Sequence, residues 1–328
     1  MAGMGRLEGE GSASAVAASM TSTDGPSAAY LTDATLMAIS GELRGASGKL
    51  RAQISPIGQP LAADSLPSGA HLQLEAPDAS GAAAAPKAGI WRVAVAIGNA
   101  IKPVSDFNLI SIRPRAEKQN GRVGLYFLGN WPGETGKRVA VPKAAPATRY
   151  LPPSGFIEVT EQNADTRVSD HFKLRDFLTH DQANVWPKYL VLEMRNVDKL
   201  ELVLSDLASR GVDVSGVKVL SGFRTPQYNK GGGDPTGRAG LSRHMYGDAA
   251  DIYIDSNKDG VMDDLDHDGR ITIADSRVVQ QAVDRVEQAH PELVGGAGVY
   301  PAAAGHGPFI HIDTRGYRAR WVGGPGGG

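Results

Sequence analysis

Between His71 and Gly129, short segments alternate apolar and polar residues. HLQLEA at 71–76 alternates, and so does WRVAVAIG at 91–98, with Trp91, Val93, Val95 and Ile97 on one face. FNLISIRP at 107–114 and RVGLYFLG at 122–129 follow, bounded by Gly, Pro and Asn. Strands at this spacing predict a small all-β, sandwich-like domain over residues 66–155. The run DASGAAAAP at 78–86 reads as a loop within it, and LPPSGFIEVT at 151–160 as a connector. Beyond the connector the rhythm becomes helical. Val197, Leu200, Leu204 and Leu207 recur at intervals of three and four within 189–210, and Gly211 is placed to end that helix. VKVL at 217–220 is a short buried strand, and 276–289 is a second amphipathic helix with Val279, Ala282, Val283 and Val286 inward. Strands and helices mix without regular βαβ alternation, so the fold class is α+β. Residues 1–65, rich in Ala, Gly and Ser, read as a flexible leader with room for one short helix over 30–43.

Composition narrows the chemistry. The chain of 328 residues carries a formal net charge of -2, which argues against a nucleic-acid or anionic-membrane partner. It has no cysteine, so a metal would be held by His and carboxylates. No apolar run is long enough to cross a bilayer, and the first residues lack the basic start and apolar run of a secretory signal. Trp131 and Tyr126 suit a buried core better than a glycan platform.

Three segments carry chemistry: SGFRTP at 221–226, SRHMYGDAADIYI at 242–254 and FIHIDTRGYRARW at 309–321. Gly247 signals a turn, after which the chain alternates as a strand. Ala249, Asp251 and Tyr253 share one face of it, and Ala250, Ile252 and Ile254 enter the core. In the third segment His311 and Asp313 project from one face, between Ile310 and Ile312. His244, Asp251 and His311, from separate elements, make a three-ligand zinc set with one position open for water.

The pattern SxHxxGxAxD at 242–251, with HxD downstream and SGFRTP upstream, resembles the zinc D-Ala-D-Ala carboxypeptidase and murein endopeptidase family (VanY-type). The resemblance covers about 169–321. It implies the fold shared with the Hedgehog signalling domain, an antiparallel sheet with flanking helices, within a peptidase domain over 156–328. It also implies zinc on His244, Asp251 and His311, with Arg224 at the substrate oxyanion or terminal carboxylate, and Ser242 supporting the loop. Many relatives place the general base three residues before the last ligand; here that position is Pro308. The subgroup ending in HxD points instead to Asp313 as the base, with His306 as the other candidate and a ligand-orienting carboxylate as the other role for Asp313. Peptidoglycan stem peptides are the implied substrate, and the periplasm or cell envelope the implied location. The β-rich region would then serve a glycan or envelope partner.

An acidic insert, 255–275, adds a second metal expectation. Asp255, Asn257, Asp259, Gly260, Asp263 and Asp266 fall at positions 1, 3, 5, 6, 9 and 12 of an EF-hand-like loop. Asp264, Asp266, Asp268, Gly269 and Asp275 fall at 1, 3, 5, 6 and 12 of a second, overlapping register that resembles the calcium loops of dockerin modules. Calcium would be structural here, offsetting repulsion between the carboxylates. Three function classes follow. They are a zinc peptidase (carboxypeptidase or endopeptidase), a non-catalytic wall-binding or recognition module, and a calcium-dependent adhesion protein.

Overall fold

The computed structural model describes residues 31–75, 81–134, 136, 139–231 and 238–324. The first 30 residues of the expected leader lie outside this range, but the rest of that segment is structured. Helix α1 (Asp33–Leu43) starts at Thr32, whose hydroxyl accepts the Thr35 N–H at 3.2 Å. Strand β1 (Ala52–Pro56) follows. The leader expectation fails here because Leu31, Ile39 and Leu43 are buried with the strand residues Leu72, Trp91, Val93 and Ile97 in one apolar cluster. Three apolar side chains in an Ala/Ser-rich stretch are enough to dock it.

The sandwich-like β domain is also corrected. Strands β2 (Ala70–Glu75), β3 (Gly89–Ile97), β4 (Ala100–Pro114), β7 (Gly155–Val159) and β8 (Lys188–Leu190) form one sheet in that order, with β1 pairing β4 in parallel. Ile39 and Leu43 of helix α1, rather than a second sheet, pack with the buried residues of β2 and β3. A two-stranded ribbon, β5 (Arg122–Val123) and β6 (Tyr126–Phe127), lies apart. The sheet runs across the expected boundary at 155, because the supposed connector contributes β7, which bonds to both β4 and β8.

The second sheet is the platform of the site. Helix α2 (Met194–Ser209) leads to β9 (Val217–Ser221) and the short helix α3 (Pro226–Gly231). After these come β10 (Ala249–Ile254), α4 (Ile273–Ala289), β11 (Gly296–Tyr300), β12 (Phe309–Asp313) and β13 (Ala319–Val322). The strand order is β13-β11-β12-β10-β9. Helix α4 begins with a reciprocal cap between Thr272 and Asp275.

Alternation divides the sheet into two faces. Ala250, Ile252 and Ile254 of β10, Ile310 and Ile312 of β12, and Ala297 and Val299 of β11 are fully buried beside Val197, Leu200 and Leu204 of α2 and Val279 and Val283 of α4. The architecture is mixed α+β, with largely antiparallel sheets and few helices. Trp131 and Tyr126 are core residues, as expected. Trp131 stacks on Phe156 and donates its indole N–H to the Met245 carbonyl at 2.7 Å.

One polar tie crosses this core. Lys199 of α2 is fully buried and reaches Glu287 of α4 at 2.6 Å and the Asp313 carbonyl of β12 at 2.7 Å. Arg320 completes the Glu287 carboxylate at 2.6 Å. Removing Lys199 leaves Glu287 buried with Arg320 as its one cationic partner among the described residues, and the Asp313 carbonyl without its donor. We expect Lys199→Ala to lower unfolding free energy by about 3–5 kcal/mol, read as a lower urea midpoint. A shift near zero would remove the tie from the account.

Candidate metal centre

The centre is built on a cross-strand row. Antiparallel pairing sets Ser221 of β9 opposite Asp251 of β10, Asp251 opposite His311 of β12, and His311 opposite Gly298 of β11. Gly298 in turn pairs with Trp321 of β13. Directly opposed residues share a face, so the row lies across the face away from α2 and α4. His244 arrives from outside the sheet, on the 3-10 turn Arg243–Tyr246. That turn ends at Gly247 with φ +73, where a Cβ would come within 2.4 Å of the Val191 carbonyl. Only glycine fits there.

Each imidazole is oriented by an acceptor on its outer nitrogen. His244 Nδ1 lies 2.6 Å from the Gly222 carbonyl, which can only accept, so Nδ1 carries the proton and Nε2 presents its lone pair. His311 Nε2 lies 3.0 Å from Asp313 Oδ2, which leaves Nδ1 facing inward. His244 Nε2, His311 Nδ1 and Asp251 Oδ1 then stand 2.9–3.2 Å apart, all buried. Ligands about 2.0–2.1 Å from a tetrahedral zinc ion would be about 3.3 Å apart. Two basic nitrogens and a carboxylate at this spacing repel unless a proton or cation sits among them. The donor set therefore fits a divalent metal.

Protonation follows from the surroundings. Burial and then the Arg224 charge pull the His244 pKa down to about 4, so it is neutral and ready to ligate. Burial also works against charging His311, but hydrogen bonds that its ring donates to the Asp251 and Asp313 carboxylates outweigh it and raise its pKa. Burial would raise Asp251, yet the neighbouring His244 and Arg224 charges hold its carboxyl well below the usual range. Arg224 donates from Nη2 to Asp251 Oδ2 at 2.6 Å and from Nε to Ser221 Oγ at 2.8 Å. Among the described residues nothing accepts from its Nη1.

Asp313 does not stand where a general base is needed. It is fully buried and lies on the far side of the His311 ring from Nδ1. Its Oδ1 accepts from the Gly296 and Arg315 backbone N–H groups, and its Oδ2 from His311 and the Arg315 guanidinium. With every lone pair engaged and its pKa far below the usual range (His311 and Arg315 outweighing burial), it orients a ligand rather than shuttling protons. His306 rests its ring on Phe309 and points Nδ1 at the Gly307 carbonyl. Ser242 is buried at the start of the 3-10 turn, and its carbonyl accepts the Met245 N–H.

The sequence did not reveal Arg315, although its place two residues after Asp313 put it on the same face. Nor did it reveal Gly222, whose carbonyl is set by a loop, or His180. The His180 segment is laced to the Arg224 loop by Thr179 Oγ1 bonding to the Phe223 carbonyl and the Thr225 N–H. Burial, then the Arg224 charge, lowers the His180 pKa.

The acidic insert folds as two successive loops with one repeated bond pattern. Asp255 accepts the N–H groups of Asp259 and Gly260, and Asp264 accepts those of Asp268 and Gly269. The third-position side chains, Asn257 and Asp266, each accept the fifth-position N–H. Carboxylate oxygens of Asp264, Asp266 and Asp268 converge within 4.8 Å. Asp263 turns to the Ser256 N–H. Asp275 departs from its expected ligand role: its oxygens accept the Leu265 and Thr272 N–H groups at 2.7 Å each, so it caps α4.

No protein-family model, no curated protein and no solved structure matches the chain.

Protons compete with metal for His311 and, further down, for His244. We therefore expect zinc affinity to fall about tenfold per pH unit once pH drops below the raised His311 pKa, and more steeply below about 4, where His244 also takes a proton. Competition with a chromophoric chelator across pH measures this, and a flat profile would contradict it. Asp313→Asn should cost about 10–100-fold in zinc affinity by the same assay.

Proposed function

We propose that this protein is a zinc metallopeptidase that hydrolyses amide bonds in the peptide stems of peptidoglycan, working in the periplasm or cell envelope. The observation that carries the reading is the convergence of three buried metal donors, from His244, Asp251 and His311, beside a guanidinium with an unused N–H. Zinc in such a cage supplies a Lewis acid that acidifies water and polarises a carbonyl. Arg224, fixed through Ser221 and Asp251, turns Nη1 toward the oxygen on which charge develops, or toward a terminal carboxylate. Asp313 and the Gly222 carbonyl hold the two imidazoles in register. The resemblance of SxHxxGxAxD and the downstream HxD to the D-Ala-D-Ala peptidases supports the substrate class.

A groove of about 730 Å³ lined by Phe127, Gly129, Asn130, Pro226, Gln227 and Lys230 begins two residues beyond Arg224. No cage residue lines it, so the proposal covers both removal of a terminal D-Ala and cleavage of a crosslink. A second reading, a metal-stabilised recognition module without hydrolysis, draws on Pro308 and the occupied Asp313, which leave His306, its Nδ1 turned to the Gly307 carbonyl, as the expected base in the peptidase reading. The two loops of the acidic insert are proposed to bind calcium and to brace the segment between β10 and α4.

With zinc-loaded protein, crosslinked muropeptide dimers should become monomers or monomers should lose a terminal D-Ala, a conversion lost on chelation and regained with zinc, as read by mass spectrometry. Arg224→Gln should lower the rate about 10²–10³-fold at equal zinc content. Dimers left intact, with no terminal D-Ala released from monomers, by fully zinc-loaded protein would favour the recognition module. Calcium at about a hundred times Kd should add about 2.7 kcal/mol of stability, seen as a raised Tm. An unchanged Tm would remove calcium from the proposal.

A further inference from the structure

The sheet face that carries the cage also carries a hydroxyl with a proton to give. Tyr300 closes β11 opposite Phe309, and two residues earlier Gly298 stands opposite His311, so Tyr300 and His311 share a face. Its ring is fixed on several sides. Phe309 stacks on it at 4.6 Å and 3°. Gly323 lies so close that a Cβ there would come within 1.9 Å of the ring. Trp321 crosses over Gly298, where a Cβ would meet the indole at 2.1 Å. From there its ring reaches within 5.3 Å of His311, and its Nε1–H donates to the Tyr300 hydroxyl at 2.8 Å.

That bond decides the hydroxyl's role. An indole N–H can only donate, so Tyr300 is the acceptor and keeps its own proton for another partner. Among the described residues, Trp321 is its one hydrogen-bond partner. The hydroxyl therefore meets the indole whose ring lies 5.3 Å from His311, on the sheet face that carries the cage. Burial, with Asp251, raises its pKa and keeps it protonated in the neutral range.

We propose that Tyr300 is a catalytic residue of the peptidase: its O–H donates a hydrogen bond to the scissile carbonyl oxygen as negative charge builds there, alongside Nη1 of Arg224. No proton changes hands; the bond strengthens as the oxygen becomes an oxyanion, the condition for lowering a barrier rather than tightening substrate. Trp321 is the positioning residue, holding the phenol so that its proton faces the cage. The proposal rests on the metallopeptidase reading and deepens it.

The test uses zinc-loaded full-length chain as wild type, Tyr300→Phe and Trp321→Phe. A phosphinate dipeptide, whose tetrahedral anion resembles the developing oxyanion, is titrated by calorimetry beside D-Ala-D-Ala, and muropeptide cleavage is measured in parallel. Tyr300→Phe keeps the ring against Phe309 and Gly323. It is expected to bind phosphinate about 10–100-fold more weakly, with D-Ala-D-Ala affinity and zinc content unchanged and kcat about 10²–10³-fold lower at similar KM. Trp321→Phe should show a smaller loss in the same two readouts. Phosphinate affinity within twofold of wild type in Tyr300→Phe at equal zinc content overturns the proposal. If wild type cleaves nothing while Tyr300→Phe still loses phosphinate affinity, the donor stands and the peptidase reading falls. If zinc-loaded wild type binds no phosphinate, both fall.

Discussion

The pairing of β10 with β12 is the constraint on which the rest of this protein depends. It sets Asp251 directly opposite His311 and, through the neighbouring strands, aligns Ser221, Gly298 and Trp321 in one row. A slip of one residue would turn every side chain to the other face. The carboxylate and imidazole would then meet α2 and α4, and Ile252 and Ile310 would meet solvent. The apolar core on one face thus enforces the polar geometry on the other. The donors converge at contact distance because the hydrophobic residues between them leave no other register.

Convergence of like donors is unfavourable on its own, and the protein supports it with buried charge. Asp313 receives His311, two backbone N–H groups and Arg315, while its carbonyl receives Lys199, which is tied to Glu287 and through it to Arg320. Arg243 performs the matching task for the His244 turn, forking onto Asp248 and lying over Tyr150 and Tyr246. Asp248 in turn offers its carbonyl to the Thr314 N–H, joining that turn to the end of β12. The charges around the cage are therefore arranged in layers. Donors face inward, anchors stand behind them, and guanidinium and ammonium groups lie behind the anchors. Removing an outer member is expected to act on the donors through the geometry of the layer between.

Much of this was legible in the chain. Alternation in 249–254 and 309–313 located both ligand strands and their faces, and intervals of three and four located α2 and α4. Alternation put Asp251 and His311 on defined strand faces, whereas His244, which lies on a turn, was picked out by the resemblance carried by SxHxxGxAxD. Less was visible where local pattern and tertiary demand part. The stretch before residue 66 reads as a leader because its composition is poor in large apolar groups, yet Leu31, Ile39 and Leu43 find a sheet face to cover. Residues 155–159 read as a connector, although their backbone completes a sheet begun far upstream.

The sequence by itself determined the mixed class, the two ligand strands, the donor triad and the acidic loops, because each is written in short-range periodicity or in fixed spacing of residue types. Only the tertiary structure decided what each polar group does. Asp313 was a base or an anchor, and Asp275 read as a calcium ligand, until the partners arriving from Gly296, Arg315, Leu265 and Thr272 were in place. Tyr300 and Trp321 were ordinary aromatics until β11 and β13 brought them together beside His311. A carboxylate or hydroxyl has its function set by who donates to it and who accepts from it. Those partners lie across strands and loops, at distances along the chain that no local pattern records.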